Sequence, residues 1–225
     1  MIFFDLDDTL MDFKHAEQLA VKALYDQFSD SIDQSCDEFY ENWCRIGLFH
    51  YERYLRGELT FEQQQAERMI ELLSAVDTGI NRDTAMSYFQ IYLKHFEDNW
   101  LLFDDVIPCL ESLKGRRLGM ITNGDSVQQR QKLQRLGISD SFEIVVVSGD
   151  IGVSKPNPEI FLHACKLAYA NPEDCYFIGD NLEADVLACE KINMNGIWLN
   201  RKNDEREHRR TIRSLMELKT CMESE

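Results

Sequence analysis

No stretch of the sequence approaches the ~20 consecutive apolar residues that a bilayer-crossing helix requires, so no membrane-spanning helix is expected. Positive charge is scarce: 24 Lys and Arg face 40 Asp and Glu, for a net charge of −16. So acidic a chain repels a phosphate polymer, which disfavours nucleic-acid polymers and anionic membranes as general partners. A small anionic substrate stays open, provided its site brings its own cations. Paired cysteines are missing as well. The seven (Cys36, Cys44, Cys109, Cys165, Cys175, Cys189 and Cys221) are odd in number and form no C-x-x-C pair, which favours reduced, incidental thiols over a disulfide framework. No basic leader opens the chain, since carboxylates arrive by Asp5, so no secretory signal is read and a cytoplasmic protein is expected. The apolar fraction of 44% suffices for one large domain or for a core with a smaller companion. The sequence sets no oligomeric state, and a monomer is compatible with it.

What is present begins at once. Met1-Ile2-Phe3-Phe4 is a short apolar run suited to a strand buried on both faces, and it ends in Asp5, Asp7, Asp8 and Thr9. Clustered carboxylates repel one another and lose hydration, so such a strand end calls for a cation. From about residue 13 to 100 strands are lacking and helical periodicity takes over. Helices are expected over 15–28, 35–48, from Thr60 onward with Met69, Leu72, Leu73 and Val76 inward, and over about 83–97. Thr60 and Gln63 form a capping box. From residue 101 helices, among them one begun by Asn157 and Pro158 and one over about 183–192, alternate with strands at 118–121, 144–147, 176–178 and 196–199, and the charged tail 204–219 reads as a last surface helix held by Ile212, Leu215 and Met216. This alternation predicts an α/β fold, a parallel Rossmann-like sheet flanked by helices, with ligands beyond the carboxyl ends of the strands. The expected core is 1–13 with 100–225, and the all-helical insert is 14–99.

Four clusters fall at those strand ends. Asp5 and Asp7, two apart in an extended backbone, can face one pocket, while Asp8 points away and reads as structural. Thr122 and Asn123, before a turn and a helix start capped by Asp125, offer neutral donors to an anion. Lys155, whose backbone is limited by Pro156, offers a fixed ammonium that can offset carboxylates and bind a phosphate oxygen. Asp180, directly after a buried strand, is a candidate metal ligand, with Asp185 close by. Acids at a helix start also serve as caps, so that reading stands beside the metal one. Hard oxygen ligands of this kind suit magnesium.

In order and in context, FFDLDDTL, ITNG, SKPNPEIF and GDNLEAD resemble the four motifs of the haloacid dehalogenase (HAD) superfamily, and the insert resembles its helical cap. One departure is Asp150, where related members often carry Glu. The resemblance implies a Mg²⁺-dependent phosphotransfer site. Asp5 would be the nucleophile that forms an aspartyl-phosphate, and Asp7 the acid and base. Thr122, the backbone N–H of Asn123, and Lys155 would bind the phosphoryl group. Asp5, Asp180 and the backbone carbonyl of Asp7 would ligate the metal, with Asp185 supporting. The family's dehalogenases lack an acid at the position of Asp7, so phosphate chemistry is expected over halide release.

The implied substrate is a small phosphorylated metabolite. A cap of this type is expected to close over the site, and its stretch from Gly47 to Tyr54 is rich in aromatics. With the resemblance to pyrimidine-nucleotide 5′-phosphatases and acylneuraminate-9-phosphatases, this points to a nucleoside monophosphate, with a sugar phosphate as runner-up. A phosphomutase shares the four motifs. A receiver-like phospho-accepting domain is disfavoured by the chain's length and by Asp7, and a non-catalytic binding protein by the intact catalytic positions.

Overall fold

The computed structural model describes residues 1–74 and 79–223, and Val76, expected to face inward, lies outside the described residues. The chain divides into two compact units, Met1–Asp12 with Leu101–Glu225, and Phe13–Trp100.

In the first unit, strand β1 (Ile2–Phe4) is buried throughout, as its apolar run requires. The helices α1 (Phe13–Tyr25), α2 (Cys36–Leu55), α3 (Phe61–Leu73) and α4 (Arg82–Asp98) belong to the second unit. The first unit resumes with α5 (Val106–Ser112), β2 (Leu118–Thr122), α6 (Ser126–Arg135) and β3 (Ile144–Val147). It continues through α7 (Ser148–Ile151), α8 (Pro158–Ala168), β4 (Tyr176–Gly179), α9 (Ala188–Glu190), β5 (Asn195–Leu199), β6 (Thr211–Ile212) and α10 (Leu218–Glu223). The strands form one parallel sheet in the order β3-β2-β1-β4-β5-β6, flanked by helices. Strand order reverses beside β1, the place where open parallel sheets bind ligands. Phe4 is level with Met120 on one side and Ile178 on the other, so Asp5, Thr122 and Asp180 all emerge within two residues of the last paired rung.

Phe3 and Phe4 alternate across the sheet. Phe3 joins the cluster of Ile121, Val146, Phe161 and Phe177, in which the last two rings meet edge-on at 5.1 Å. Phe4 meets Phe142 edge-on at 6.4 Å. Local caps set the helix starts: Asp125 accepts from the N–H groups of Val127 and Gln128, and Asn157 caps α8 with Pro158 in its first turn.

Two expectations need correction. Residues 204–219 are not one helix. Asn200 and Asp204 exchange two 2.8 Å hydrogen bonds that close a loop, and Thr211 and Ile212 then pair beside β5. Only after a short turn capped by Ser214 does α10 begin, and Met216 is 61% exposed rather than holding the tail. The open edge of β5 offers ladder hydrogen bonds that a surface helix here would forgo. The helix expected over 183–192 is also divided: Leu182–Leu187 winds as a wide π-type turn and α9 is short.

The second unit, among its described residues, packs α1 against α4 and α3 against both α2 and α4. Capping boxes at Ser35–Glu38 and Thr60–Gln63 start α2 and α3, and Asn81 caps α4. Its core is aromatic, with Trp43 4.2 Å from Tyr92 and Phe13 5.1 Å from Phe96 between ring centroids. A charged pair is set into that core. Glu17 accepts from Trp43 Nε1 at 3.0 Å and Arg68 Nη2 at 3.2 Å, while the Arg68 guanidinium lies 3.5 Å above the Trp43 ring. Among the described residues no helix is long and apolar enough to cross a membrane.

Removing one partner of a buried pair leaves the other charge uncompensated, so Glu17→Ala is expected to lower the stability of this protein by about 3 kcal/mol. Urea unfolding checks it, and Glu17→Gln, which keeps acceptors for Trp43 and Arg68, should cost less.

Candidate active site

The ammonium of Lys155 is the centre of the site. It is 5% exposed and donates to Asp5 Oδ1 at 2.6 Å and to Asp185 Oδ1 at 2.7 Å. Its place is fixed from behind. The Asn123 side chain accepts from the Lys155 N–H at 2.8 Å and donates to the Lys155 carbonyl at 2.9 Å, which ties the loop after α7 to the end of β2. Two carboxylates on one lysine leave a negative surplus, and Asp180 adds to it. One carboxylate oxygen each from Asp5, Asp180 and Asp185 lies within 4.8 Å of the others.

Burial first, and that crowding second, set the protonation of the group. Burial raises the pKa of Asp5 to about 8, Lys155 opposing and the charges of Asp185 and Asp180 adding to the rise. Burial also lifts Asp180 to about 7, reinforced by Asp185 and Asp8 against Lys202 and Lys155. For Lys155 burial works the other way, but Asp185 and Asp5 overcome it and hold the ammonium above the usual lysine range.

Asp185 is 1% exposed and sits closer to the centre than a helix-capping acid would. Its Oδ2 accepts from the Asn181 N–H at 3.0 Å, within the wide turn after β4. Gly179 makes that possible, because a Cβ there would collide with the Asp185 carboxylate. Asp180 is held by its backbone: its N–H donates to Thr9 Oγ1 at 3.1 Å and its carbonyl accepts from Trp198 Nε1 at 2.8 Å. Asp8, in a left-handed backbone conformation (φ 59°), lies near Asp180, and Lys202 approaches both, at 3.2 Å and 3.8 Å.

Asp7 has a separate set of partners. Lys132 donates to its Oδ1 at 2.7 Å and Oδ2 at 2.8 Å, and Gln129 Nε2 donates to Oδ2 at 3.1 Å. The same Gln129 nitrogen donates to Thr122 Oγ1 at 2.8 Å. Gly124 (φ 143°) lets the turn pass over this amide, since a Cβ there would stand 3.0 Å from Gln129 Cγ and Cδ. Its N–H in turn donates to Ser148 Oγ at 2.9 Å. Asp150, the departure from the family motif, pairs with Arg130 at 2.8 Å and is exposed.

The fold therefore places Asp5, Lys155, Asp180 and Asp185 in one cluster. Thr122 and Asp7 are joined to each other through Gln129, and Asn123 carries the lysine loop. Sequence reasoning missed Gln129, Lys132, Ser148 and Lys202. A signal existed for the first two: with Leu133 they occupy the 129, 132, 133 stripe of α6, where apolar residues would face the core. A buried polar pair at such positions points to a partner within.

Three converging carboxylates suit a hard divalent cation, and the donor set of Asp5, Asp180 and Asp185 fits magnesium, which binds through few carboxylates and retains water. Lys155 alone does not neutralise the three.

Comparison with known proteins agrees with this chemistry. The family described as haloacid dehalogenase-like hydrolase matches residues 1–193. The glyceraldehyde 3-phosphate phosphatase of Methanopyrus kandleri is 30% identical over 207 residues, covering 89% of this chain and 83% of that one. The N-acylneuraminate-9-phosphatase of Mus musculus is 27% identical over 208 residues, with 89% and 82% covered. The pyrimidine 5′-nucleotidase YjjG of Escherichia coli is 27% identical over 205 residues, with 88% and 85% covered. Among solved structures, the HAD-hydrolase YfnB of Bacillus subtilis bound to magnesium has a TM-score of 0.82 at 26% identity, over 99% of this chain and 97% of that one. The family match runs through every segment that builds the site from Asp5 to Asp185, and the chain belongs to the haloacid dehalogenase-like hydrolases, as a phosphatase.

Proposed function

We propose that this phosphatase is a magnesium-dependent phosphomonoester hydrolase that works through an aspartyl-phosphate on Asp5. Its substrate is a small metabolite phosphorylated on a primary alcohol carbon of a sugar, nucleoside monophosphates included. The observation that carries the mechanism is the Lys155 ammonium shared between Asp5 and Asp185 beside Asp180. It pairs one oxygen of the buried Asp5 carboxyl and leaves the other for attack on phosphorus.

Asp5 attacks phosphorus, the ester P–O bond breaks, and the departing alkoxide takes a proton from Asp7. Asp7, now a carboxylate, takes a proton from water. The oxygen of that water attacks phosphorus, which breaks the bond to Asp5 and releases inorganic phosphate. Lys155 and the Thr122 hydroxyl hold the phosphoryl oxygens, joined by the N–H of Asn123. Asp5, Asp180 and the carbonyl of Asp7 would hold magnesium, with Asp185 supporting from within the same cluster. When bound, magnesium supplies the charge that lets one anion approach another.

Support for the substrate class comes from what the relatives' names share. Glyceraldehyde 3-phosphate, an acylneuraminate 9-phosphate and a pyrimidine 5′-nucleotide each carry phosphate on a primary carbon of a sugar or sugar-like chain. The Gly47–Tyr54 stretch gives no strong preference for a base. Tyr51, Tyr54 and Phe61 pack on one another at 5.7 Å and 5.4 Å, and His50 is buried against Glu71, leaving Phe49 as its exposed ring.

A screen of phosphomonoesters with magnesium should show phosphate release that EDTA abolishes and that Asp5→Asn lowers by about 10³-fold or more. No release from any ester would refute the reading. Within the active set, esters of primary sugar carbons should exceed secondary ones, and equal rates on nucleotides and on ribose 5-phosphate would count against any base contact.

The raised carboxyls give a pH signature. Folded Asp180 and Asp5 hold protons that the unfolded chain has already released, so stability falls as pH rises from the ordinary carboxylate range to about 7–8 and then levels off. In EDTA the melting temperature of the wild type should therefore drop more steeply between pH 5 and 8 than that of Asp180→Asn. Magnesium should recover most above pH 7, and only in the wild type; parallel curves would refute the assignment.

A further inference from the structure

We propose that Gln129 and Lys132 are positioning residues of the reaction: they hold Asp7 where it exchanges protons, and Gln129 also fixes the direction in which Thr122 donates. The proposal rests on the phosphatase reading and assigns work to two α6 residues outside the four motifs.

The geometry leaves little freedom. Lys132 is 1% exposed, a burial that lysine tolerates only against an opposite charge, and its ammonium spans both oxygens of Asp7 at 2.7 Å and 2.8 Å. Gln129 is also 1% exposed, and its amide nitrogen has two protons for two acceptors, Asp7 Oδ2 and Thr122 Oγ1. The reversed amide would set its oxygen against a carboxylate oxygen, so the orientation is determined by chemistry. A hydroxyl that accepts from an amide keeps its own proton to give elsewhere. That proton goes to the Asn123 carbonyl at 3.3 Å, a long bond that a phosphoryl oxygen can take over, so Gln129 sets Thr122 as a donor.

At Asp7 the donors are uneven. Oδ2 receives from both Lys132 and Gln129, whereas Oδ1 receives from Lys132, so Oδ1 keeps the more open lone pair and is the oxygen that carries the proton. Proton balance is the same in both steps: Oδ1 gives its proton to the alkoxide as the ester bond breaks, then takes one from water as the bond to Asp5 breaks. Asp7 is 26% exposed at its side chain, compared with 9% for Asp5, so without these two donors it would be free to turn into solvent.

Leaving-group chemistry separates positioning from mere packing. Alkoxides need the proton of Asp7; a nitrophenolate leaves without it, but the aspartyl-phosphate it leaves behind still needs Asp7 as base. Lys132→Met and Gln129→Met would be assayed on a primary alkyl phosphate and on p-nitrophenyl phosphate, with melting curves to verify folding. For Lys132→Met, kcat on the alkyl ester should fall about 10²-fold with KM within about threefold. On p-nitrophenyl phosphate the same variant should release a burst of about one equivalent of nitrophenol per site before slow turnover, and Lys132→Arg should restore kcat to within about tenfold. Gln129→Met should move the same readouts by about tenfold, and carries the test if Lys132→Met does not fold. Equal losses on both esters without a burst, or a loss confined to KM, would overturn the proposal while leaving the phosphatase reading intact. A wild type inactive on both esters would overturn both.

Discussion

One buried ammonium sets the terms for everything around it. Lys155 lies between Asp5 and Asp185 with almost no access to water, and an unpaired charge in such a place would be expelled or neutralised. The surrounding structure follows from keeping it there. Asn123 is spent on clamping the backbone of the lysine loop, Gly179 gives up a side chain so that Asp185 can close in, and the wide turn of Leu182–Leu187 brings that acid to the centre. Each of these looks like a local irregularity until the ammonium is considered, and each disappears as a puzzle once it is.

Asp5 and Asp7 are two residues apart, yet they are given different lysines from different parts of the chain. Lys155 arrives from the loop between α7 and α8, and Lys132 from the inner face of α6. The separation matters chemically. A nucleophile must remain anionic while shielded from solvent, and a proton carrier must stay within reach of solvent. In the proposed mechanism Lys155 and a bound cation would hold Asp5 anionic against the burial that raises its pKa, and the partial exposure of Asp7 would suit a proton carrier. Had both faced one cation, the state of either would have been tied to that of the other.

Much of this could be read before any coordinates. The buried strands, the caps at Thr60, Asp125 and Asn157, and the acids and lysine at strand ends follow from local chemistry that neighbouring residues carry. What was illegible depends on partners distant in sequence. Lys132 and Gln129 lie on the inward stripe of α6, but nothing local says that the partner they need is a carboxylate more than a hundred positions away. The tail misled for a similar reason. Its charges suit a surface helix, but Thr211 and Ile212 take the free edge of β5, and Asp105 binds Ser214 Oγ at 2.7 Å and the Leu215 N–H at 2.9 Å. A short segment's preference yields when an existing sheet edge and a half-buried acid offer it partners.

The net charge of −16 has a consequence for how such a site fills. At long range the protein repels a phosphomonoester, so its field does not speed the arrival of an anionic substrate, and the attraction has to come from short-range donors. Lys155, Thr122 and the backbone at Asn123 can supply it only within a few ångströms, where screening by salt is weak. The same field draws a divalent cation inward, toward a cluster whose three carboxylates already outnumber its buried ammonium. Acidity that disfavours nucleic-acid binding would thus favour metal binding at the proposed site, where a bound cation would offer the phosphate a local sign opposite to that of the protein around it.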